Sequence, residues 1–533
     1  MRTRLYALLA TVVFVACSTS TEPLPQGSGG RGSGGSTSAG GASSGGTTSA
    51  GGIPSAGGTT SAGGAGGSVG SGGKPQTGGT SGTGGSSASG GSIGPDASPG
   101  SGGSSGTGGA KATGGTPGSG GAGTDGGAKP GTGGSGTGGG GNPGTGGANP
   151  GTGGASGAGG GGEACASEFC GASCNATSGA LKKNPKLPDP FAMHDGTRIS
   201  TKAQWECRRA EVKADIEKYE IGPKQIPEKV EATFSGGKLS VVVTTSSGSI
   251  TLSSTVSGSG SCVVIGMNGN SSMVSGCTQV PFSHDQVVGY NSGGGTQTQS
   301  DPFYKVYPSL WGKIGNYNAW SWGISRLIDG IVQMKDSMKV DPTKIAVHGC
   351  SYAGKMALFG GAFDQRVALT VAQESGGGGI TSWRTSQDFT TRTKTDVEKI
   401  DNTNYAWFMS SMKSLDPYSL PHDHHELIAM VAPRAIIALG NPEMEWLGDE
   451  SGYKSVMAAA EVFKAMGVPE NIGYDFTGNH SHCAAAASQT TSVNTFVTKF
   501  LKAGTGSTNV AIKPVSSKFD LTYTNDWTTP TLQ

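Results

Sequence analysis

Large apolar side chains are scarce in the first third of this sequence. From about Ser18 to Gly162 the residues are almost all Gly, Ser, Thr, Ala and Pro, and most of the 98 glycines among the 533 residues fall there. Imperfect repeats such as Gly-Thr-Gly-Gly carry no hydrophobic face, which excludes a stacked repeat architecture. So little apolar surface cannot offset the entropy of ordering the backbone, and residues 17–162 are expected to be a disordered linker. A Gly-rich chain of that length has an r.m.s. span of roughly 60–70 Å. An excess of one charge is also missing. Lys plus Arg number 38 and Asp plus Glu 37, for a net charge of +1, and no basic run lies along an expected helix. This argues against nucleic acid as a partner, which calls for a clustered positive face.

What is present begins with Met-Arg-Thr-Arg and the apolar stretch Leu5 to Ala16. About a dozen apolar residues fall short of the roughly 20 that span a bilayer. A charged start and a short apolar run fit an export signal over residues 1–16. Cys17 follows Phe14-Val15-Ala16 directly, which resembles the lipobox of bacterial lipoproteins, with Phe14 where Leu is usual. On that reading Cys17 is a lipid anchor, and the linker spaces a folded domain, residues 163–533, from a membrane surface. The alternative is an ordinary cleaved signal. Either way a secreted or cell-surface protein is expected. Eight further cysteines, an even count in an exported chain, point to disulfides whose connectivity the count leaves open.

Within the folded part, Ser200 to Tyr219 is expected to be a helix, capped by Thr201, with Trp205, Val212, Ile216 and Tyr219 at helical spacing. Leu239 to Thr245 and Ile250 to Val256 alternate and are rich in β-branched residues, which predicts a hairpin. Cys262 to Gly266 is a short continuous apolar run, as in a strand buried on both faces. A long helix over Ala319 to Met338 follows. Strands are expected at Ile345–Val347, Val367–Val371, Ala435–Leu439 and Ile472–Phe476, with helices at Glu426–Met430 and Val456–Met466. Strands alternating with helices predict an α/β fold with a mostly parallel sheet covered on both sides.

Lys344-Ile-Ala-Val-His-Gly-Cys-Ser-Tyr-Ala-Gly-Lys355 is an apolar strand, a Ser among small residues, then a helix. This is the layout of a nucleophile elbow, which lifts the Ser351 hydroxyl to the carboxyl end of a sheet. Gly349 and Gly354 permit close backbone approach, and the helix start offers N–H groups to an oxyanion. Ala353 stands where the motif usually has Gly. A base is expected after the last strand, where Thr477-Gly-Asn-His-Ser-His-Cys483 offers His480 and His482. Cys350 precedes Ser351 and Cys483 follows His482. A disulfide between them would bring Ser351 and His482 together, since bridged Cα atoms lie about 5.5–6 Å apart.

The sequence resembles the glucuronoyl esterases, family fifteen of the carbohydrate esterases, over nearly all of residues 185 to 505. The matching motifs include Leu187-Pro-Asp-Pro-Phe191, Trp205-Glu-Cys-Arg-Arg209, Gly349-Cys-Ser351 with Gly354-Lys355, and Gln373-Glu-Ser-Gly376. Trp383-Arg384, Asp423-His-His425, Ala432-Pro-Arg434, Glu445-Trp-Leu-Gly448 and His482-Cys483 match as well. The resemblance implies a three-layer α/β/α hydrolase. It also implies cleavage of the ester between 4-O-methyl-glucuronic acid of glucuronoxylan and lignin alcohols, through an acyl-enzyme on Ser351. The family's acid comes with Gln-Glu-Ser-Gly and falls on Glu374, where a carboxylate could orient the imidazole. Glu443 and Glu445 occupy the commoner acid position for this fold class. Lys355 resembles a contact to a sugar hydroxyl, and Trp446 an aromatic flanking the sugar. Cys174–Cys207 and Cys262–Cys277 are expected pairs, with Cys165 and Cys170 left over. No cofactor is expected, and the chain is expected to be a monomer.

Three positions depart from the family pattern. Tyr352 replaces an Arg thought to support the oxyanion; a phenol could donate one hydrogen bond but carries no charge. Ser382 stands where many relatives have Cys. Near Trp407, where a Glu often meets the sugar, only Asn404 is found, and it is the residue expected to bind substrate there. The run His422-Asp-His-His-Glu426 could suggest a metal, but Asp423 and Glu426 are spaced as a helix capping box, so none is expected. Competing readings are another carboxylic-ester hydrolase, such as an acetyl xylan esterase, and a catalytically silent polysaccharide-binding surface protein.

Overall fold

The computed structural model describes residues 167–169, 174–290, 298–404 and 406–533. The signal segment, Cys17, the Gly-rich linker and the leftover pair Cys165 and Cys170 lie outside the described residues.

The first helix, α1 (Lys202–Ile216), starts where Thr201 caps it. The Thr201 side chain accepts from the Gln204 backbone and the Gln204 side chain accepts from the Thr201 backbone, satisfying two helix-end donors at once. A wider π turn, Glu217–Ile221, carries the chain onward. Strands β1 (Lys229–Ser235), β2 (Lys238–Thr245) and β3 (Gly248–Thr255) form a small antiparallel sheet containing the expected hairpin. Sequence pattern missed β1, whose inward Val230, Ala232 and Phe234 are only half-buried between exposed neighbours.

The main sheet comprises β4 (Val263–Met267), β5 (Thr278–Phe282), β6 (Ile345–Cys350), β7 (Val367–Gln373), β8 (Ala435–Leu439), β9 (Ile472–Asp475) and β10 (Ala511–Ile512). Its spatial order is β10-β9-β8-β7-β6-β4-β5, and each neighbouring pair is parallel. Strand β5 contains Pro281, which argues against a strand in sequence. The sheet places it on an edge, where a missing donor costs least.

The helices are α2 (Pro302–Val306), α3 (Asn316–Met338), α4 (Tyr352–Phe363), α5 (Trp383–Thr393), α6 (His424–Ala429), α7 (Asp449–Ala465) and α8 (Ala487–Phe496). Alternate strand residues face opposite ways. Val263, Ile265, Ile345, Val347, Ile436 and Ala438 join a large core with α1, α3, α4, α6 and α7. Val264, Ala346, Leu369, Val371, Ile437 and Leu439 face a smaller core with Val493 and Phe496 of α8. This is the three-layer α/β/α hydrolase architecture. The chain runs outward from β4 to β5 and then returns to the far side of β4 as β6. Ligand crevices in such sheets open at that reversal, at the carboxyl ends of the strands.

Candidate active site

Ser351 is the single residue between β6 and α4, with φ +59° and ψ −129°. Non-glycine residues hold such a conformation only where their surroundings impose it. Here a Cβ on Gly349 would fall 2.1 Å from the Ala353 carbonyl oxygen, and one on Gly354 would fall 2.3 Å from the Gln373 oxygen. Both glycines are therefore required, and Ala353 is tolerated where the usual motif has Gly. The Ser351 N–H donates to Gln373 O at 3.0 Å, tying the elbow to β7.

Glu374 follows β7 immediately, buried and with φ +44°. Its Oε2 lies 2.7 Å from His482 Nδ1, while Oε1 accepts from the Cys483 N–H at 3.1 Å. A carboxylate at Nδ1 keeps the proton there and leaves Nε2 able to accept one. His480 instead lies 3.8 Å from Glu374 Oε1, and its Nε2 faces the Thr477 carbonyl oxygen at 2.9 Å. Cys350 and Cys483 are bridged with Cα atoms 5.6 Å apart, and their sulfurs and an imidazole nitrogen of His482 lie within 4.8 Å of one another. The bridge thus anchors the histidine loop beside the residue preceding Ser351. Cys174–Cys207 and Cys262–Cys277 are bridged as well.

The alternative acids are engaged elsewhere. Glu443 Oε2 accepts from the Asn479 N–H at 2.8 Å, and Glu445 pairs with Lys518 at 2.6 Å. Asp449, at the start of α7, is buried, and burial followed by the nearby charges of Glu374 and Glu443 pushes its carboxyl up to about 8, although the Asn441 N–H works the other way.

Lys355, on α4 one turn beyond Ser351, is buried, with Nζ 2.6 Å from Glu398 Oε2 and 5.0 Å from the centre of the Trp407 ring. The Glu398 backbone N–H donates to Trp446 O at 3.3 Å. Trp446 is 43% exposed and meets the His482 ring edge-on at 4.8 Å. Lys355, Glu398 and Trp407 thus form one contact group, linked through the Glu398–Trp446 backbone bond to the indole beside the imidazole. Ammonium, carboxylate and indole are groups suited to a hydroxyl-rich ring. Asn404 uses its side-chain oxygen to accept from the Ala406 N–H at 2.9 Å. Sequence reading missed Glu398. No motif surrounds it, and only folding brings it to Lys355, 43 positions away in the chain. The Tyr352 ring stacks on Tyr290 at 4.2 Å and on Trp407 at 6.1 Å.

The histidine run lies apart from these residues. Asp423 and Glu426 form the expected capping box on α6. His422 and His424 both contact the buried Glu220, at 2.9 and 3.0 Å, and His425 faces the Pro188 carbonyl oxygen.

A family model for fungal glucuronyl esterases matches residues 240–467. A 4-O-methyl-glucuronoyl methylesterase of Hypocrea jecorina is 36% identical over 380 residues, which is 68% of this chain and 80% of that protein. The chain belongs to the glucuronoyl esterases. A 4-O-methyl-glucuronoyl methylesterase of Schizophyllum commune is 38% identical over 331 residues, covering 60% of this chain and 83% of its own length. The solved catalytic domain from Hypocrea jecorina superposes with a TM-score of 0.60 at 34% identity, covering 66% of this chain and 98% of its own. A serine-to-alanine variant of the Sporotrichum thermophile glucuronoyl esterase, in complex with methyl 4-O-methyl-β-D-glucopyranuronate, gives 0.59 at 32% identity, covering 65% and 96%. As a glucuronoyl esterase this protein is a carboxylic-ester hydrolase.

Proposed function

We propose that the protein hydrolyses esters of 4-O-methyl-D-glucuronic acid, as borne by glucuronoxylan, with lignin alcohols, through an acyl-enzyme on Ser351. The observation that carries this reading is the Glu374–His482 contact of 2.7 Å, held beside Ser351 by the Cys350–Cys483 bridge. Ser351 Oγ attacks the ester carbon while His482 Nε2 takes its proton, and Glu374 stabilises the imidazolium. Collapse expels the alcohol, which leaves with that proton. Water then attacks the acyl-enzyme by the same route and releases the uronic acid. Backbone N–H groups at the start of α4 face the developing oxyanion, and Tyr352 supports that site. Lys355, Glu398, Trp446 and Asn404 bind the sugar.

The same reading has the protein exported or displayed at a cell surface as a monomer. Residues 1–16 serve as the signal, Cys17 as a lipid anchor, 17–162 as the linker and 163–533 as the esterase domain. Its support is the charged start, the short apolar run and Cys17 itself. Ser351→Ala is expected to remove turnover of benzyl glucuronate while leaving the melting temperature near that of the parent. Turnover near the parental rate would overturn the assignment of the nucleophile, and parental hydrolysis of acetylated xylan but not of glucuronates would overturn the substrate.

A further inference from the structure

Tyr352 occupies the position next to the nucleophile, yet its hydroxyl is engaged on two sides. Asn268 Nδ2 donates to it, and His284 Nε2 lies 3.3 Å away. His284 Nδ1 in turn lies 2.8 Å from Asp285 Oδ1, off the ring N–H axis, so the contact is electrostatic more than a directed hydrogen bond. A carboxylate at Nδ1 still favours the proton there, which makes Nε2 an acceptor. Burial holds His284 below the ordinary histidine range and so keeps it neutral. The phenol therefore gives its proton to His284 and receives one from Asn268. It has none left for an oxyanion.

Asn268 is the first residue after β4, the strand paired beside β6, and it sits in the left-handed region at φ +61°. In this fold class the second oxyanion donor comes from the loop after that neighbouring strand. The Asn268 backbone N–H cannot serve, because it donates to Phe282 O at 2.8 Å. The loop is pressed against the elbow. A Cβ on Gly349 would lie 3.0 Å from Met267 Cβ, and Ser271 Oγ lies 2.9 Å from His348 Nδ1. A side-chain amide carries two N–H donors, and the phenol takes one.

We propose that the Asn268 side-chain amide is an oxyanion donor of this site, acting with the backbone N–H of Tyr352, and that Tyr352 and His284 are positioning residues that hold the amide. The inference rests on Ser351 being the nucleophile. As Ser351 Oγ bonds to the carbonyl carbon, the carbonyl π pair moves onto oxygen and accepts the second amide N–H. No proton transfers to that oxygen, and the pair returns when the alcohol departs.

The test measures kcat and KM on methyl glucuronate and on 4-nitrophenyl acetate, with melting temperatures recorded alongside. Asn268→Ala is expected to lower kcat by about 10²–10³-fold. Its KM should change by less than about threefold. Asn268→Asp keeps the shape but turns an acceptor toward the oxyanion, so it should be slower still, whereas a merely structural role would make Asp milder than Ala. It also carries the test if the Ala variant unfolds. Tyr352→Phe should lower kcat about tenfold in the parent and not at all in the Asn268→Ala background, because it acts through the amide. A folded Asn268→Ala enzyme within about twofold of the parent, or additive effects of the two substitutions, would overturn the proposal. Failure of the substrate reading is told apart by the second ester. A parent active on the acetate alone loses the glucuronate assignment, while the same variant ratios still judge Asn268.

Discussion

At the scale of single residues, the site separates carboxylates that look equivalent in sequence. Glu374, Glu443 and Glu445 all follow strands of the main sheet, but only Glu374 meets His482 Nδ1. Glu374→Ala should therefore lower kcat on glucuronate esters by about 10³–10⁴-fold, the scale expected when an imidazole loses the carboxylate that sets its tautomer. Glu445→Ala, which removes an exposed pair with Lys518, should leave kcat within about twofold. Reversal of that order in steady-state kinetics would reassign the acid. Ser351 was legible as a candidate because Gly349, Ala353 and Gly354 around it leave room for an elbow. Glu398 was not, since nothing local distinguishes it from a solvated Glu.

At the scale of elements, the Cys350–Cys483 bridge ties the end of β6 to the loop after β9 across 133 residues of chain. Replacing both cysteines with Ser should cost about 2–5 kcal/mol in calorimetry. It should also lower kcat more than loss of Cys262–Cys277 does, because only the first bridge aligns His482. Equal effects on kcat would mean that the bridge stabilises without aligning. The start of α7 supplies a pH test. Asp449 holds its proton up to about 8 when folded, whereas an unfolded Asp ionises near about 3.9. Between those values the unfolded chain binds fewer protons, so Asp449 makes stability fall as pH rises through the window. Asp449→Asn removes this dependence. Its melting temperature relative to the parent should climb from pH 4 to pH 8 by several degrees. A difference that stays flat with pH would refute the buried neutral acid.

At the scale of the whole molecule, the buried hydrophobic cores of the described residues run from Phe191 to Leu532, and among those residues no helix is long and apolar enough to cross a membrane. Deleting residues 18–162 should leave kcat and KM on a small soluble ester within about twofold, since their Gly-, Ser- and Thr-rich composition offers little apolar surface to bury. Proteolysis should trim it before it nicks the domain. Loss of activity on a small ester after the deletion would show that the segment belongs to the catalytic unit.

The sequence alone pointed to the three-layer class, to Ser351, His482 and Glu374 as candidate catalytic residues, and to the three disulfides the structure describes. Each depends on a local signal: apolar runs of strand length, small residues around Ser351, cysteines flanking Ser351 and His482, and ordered family motifs. Tertiary structure decided what spacing cannot express. It placed β5 on an edge despite Pro281, brought Glu398 to Lys355, neutralised Asp449 by burial, and committed the Tyr352 hydroxyl to Asn268 and His284. These features arise from contacts between segments distant in the chain and from the low dielectric of a closed core. Neither leaves a mark on neighbouring residues.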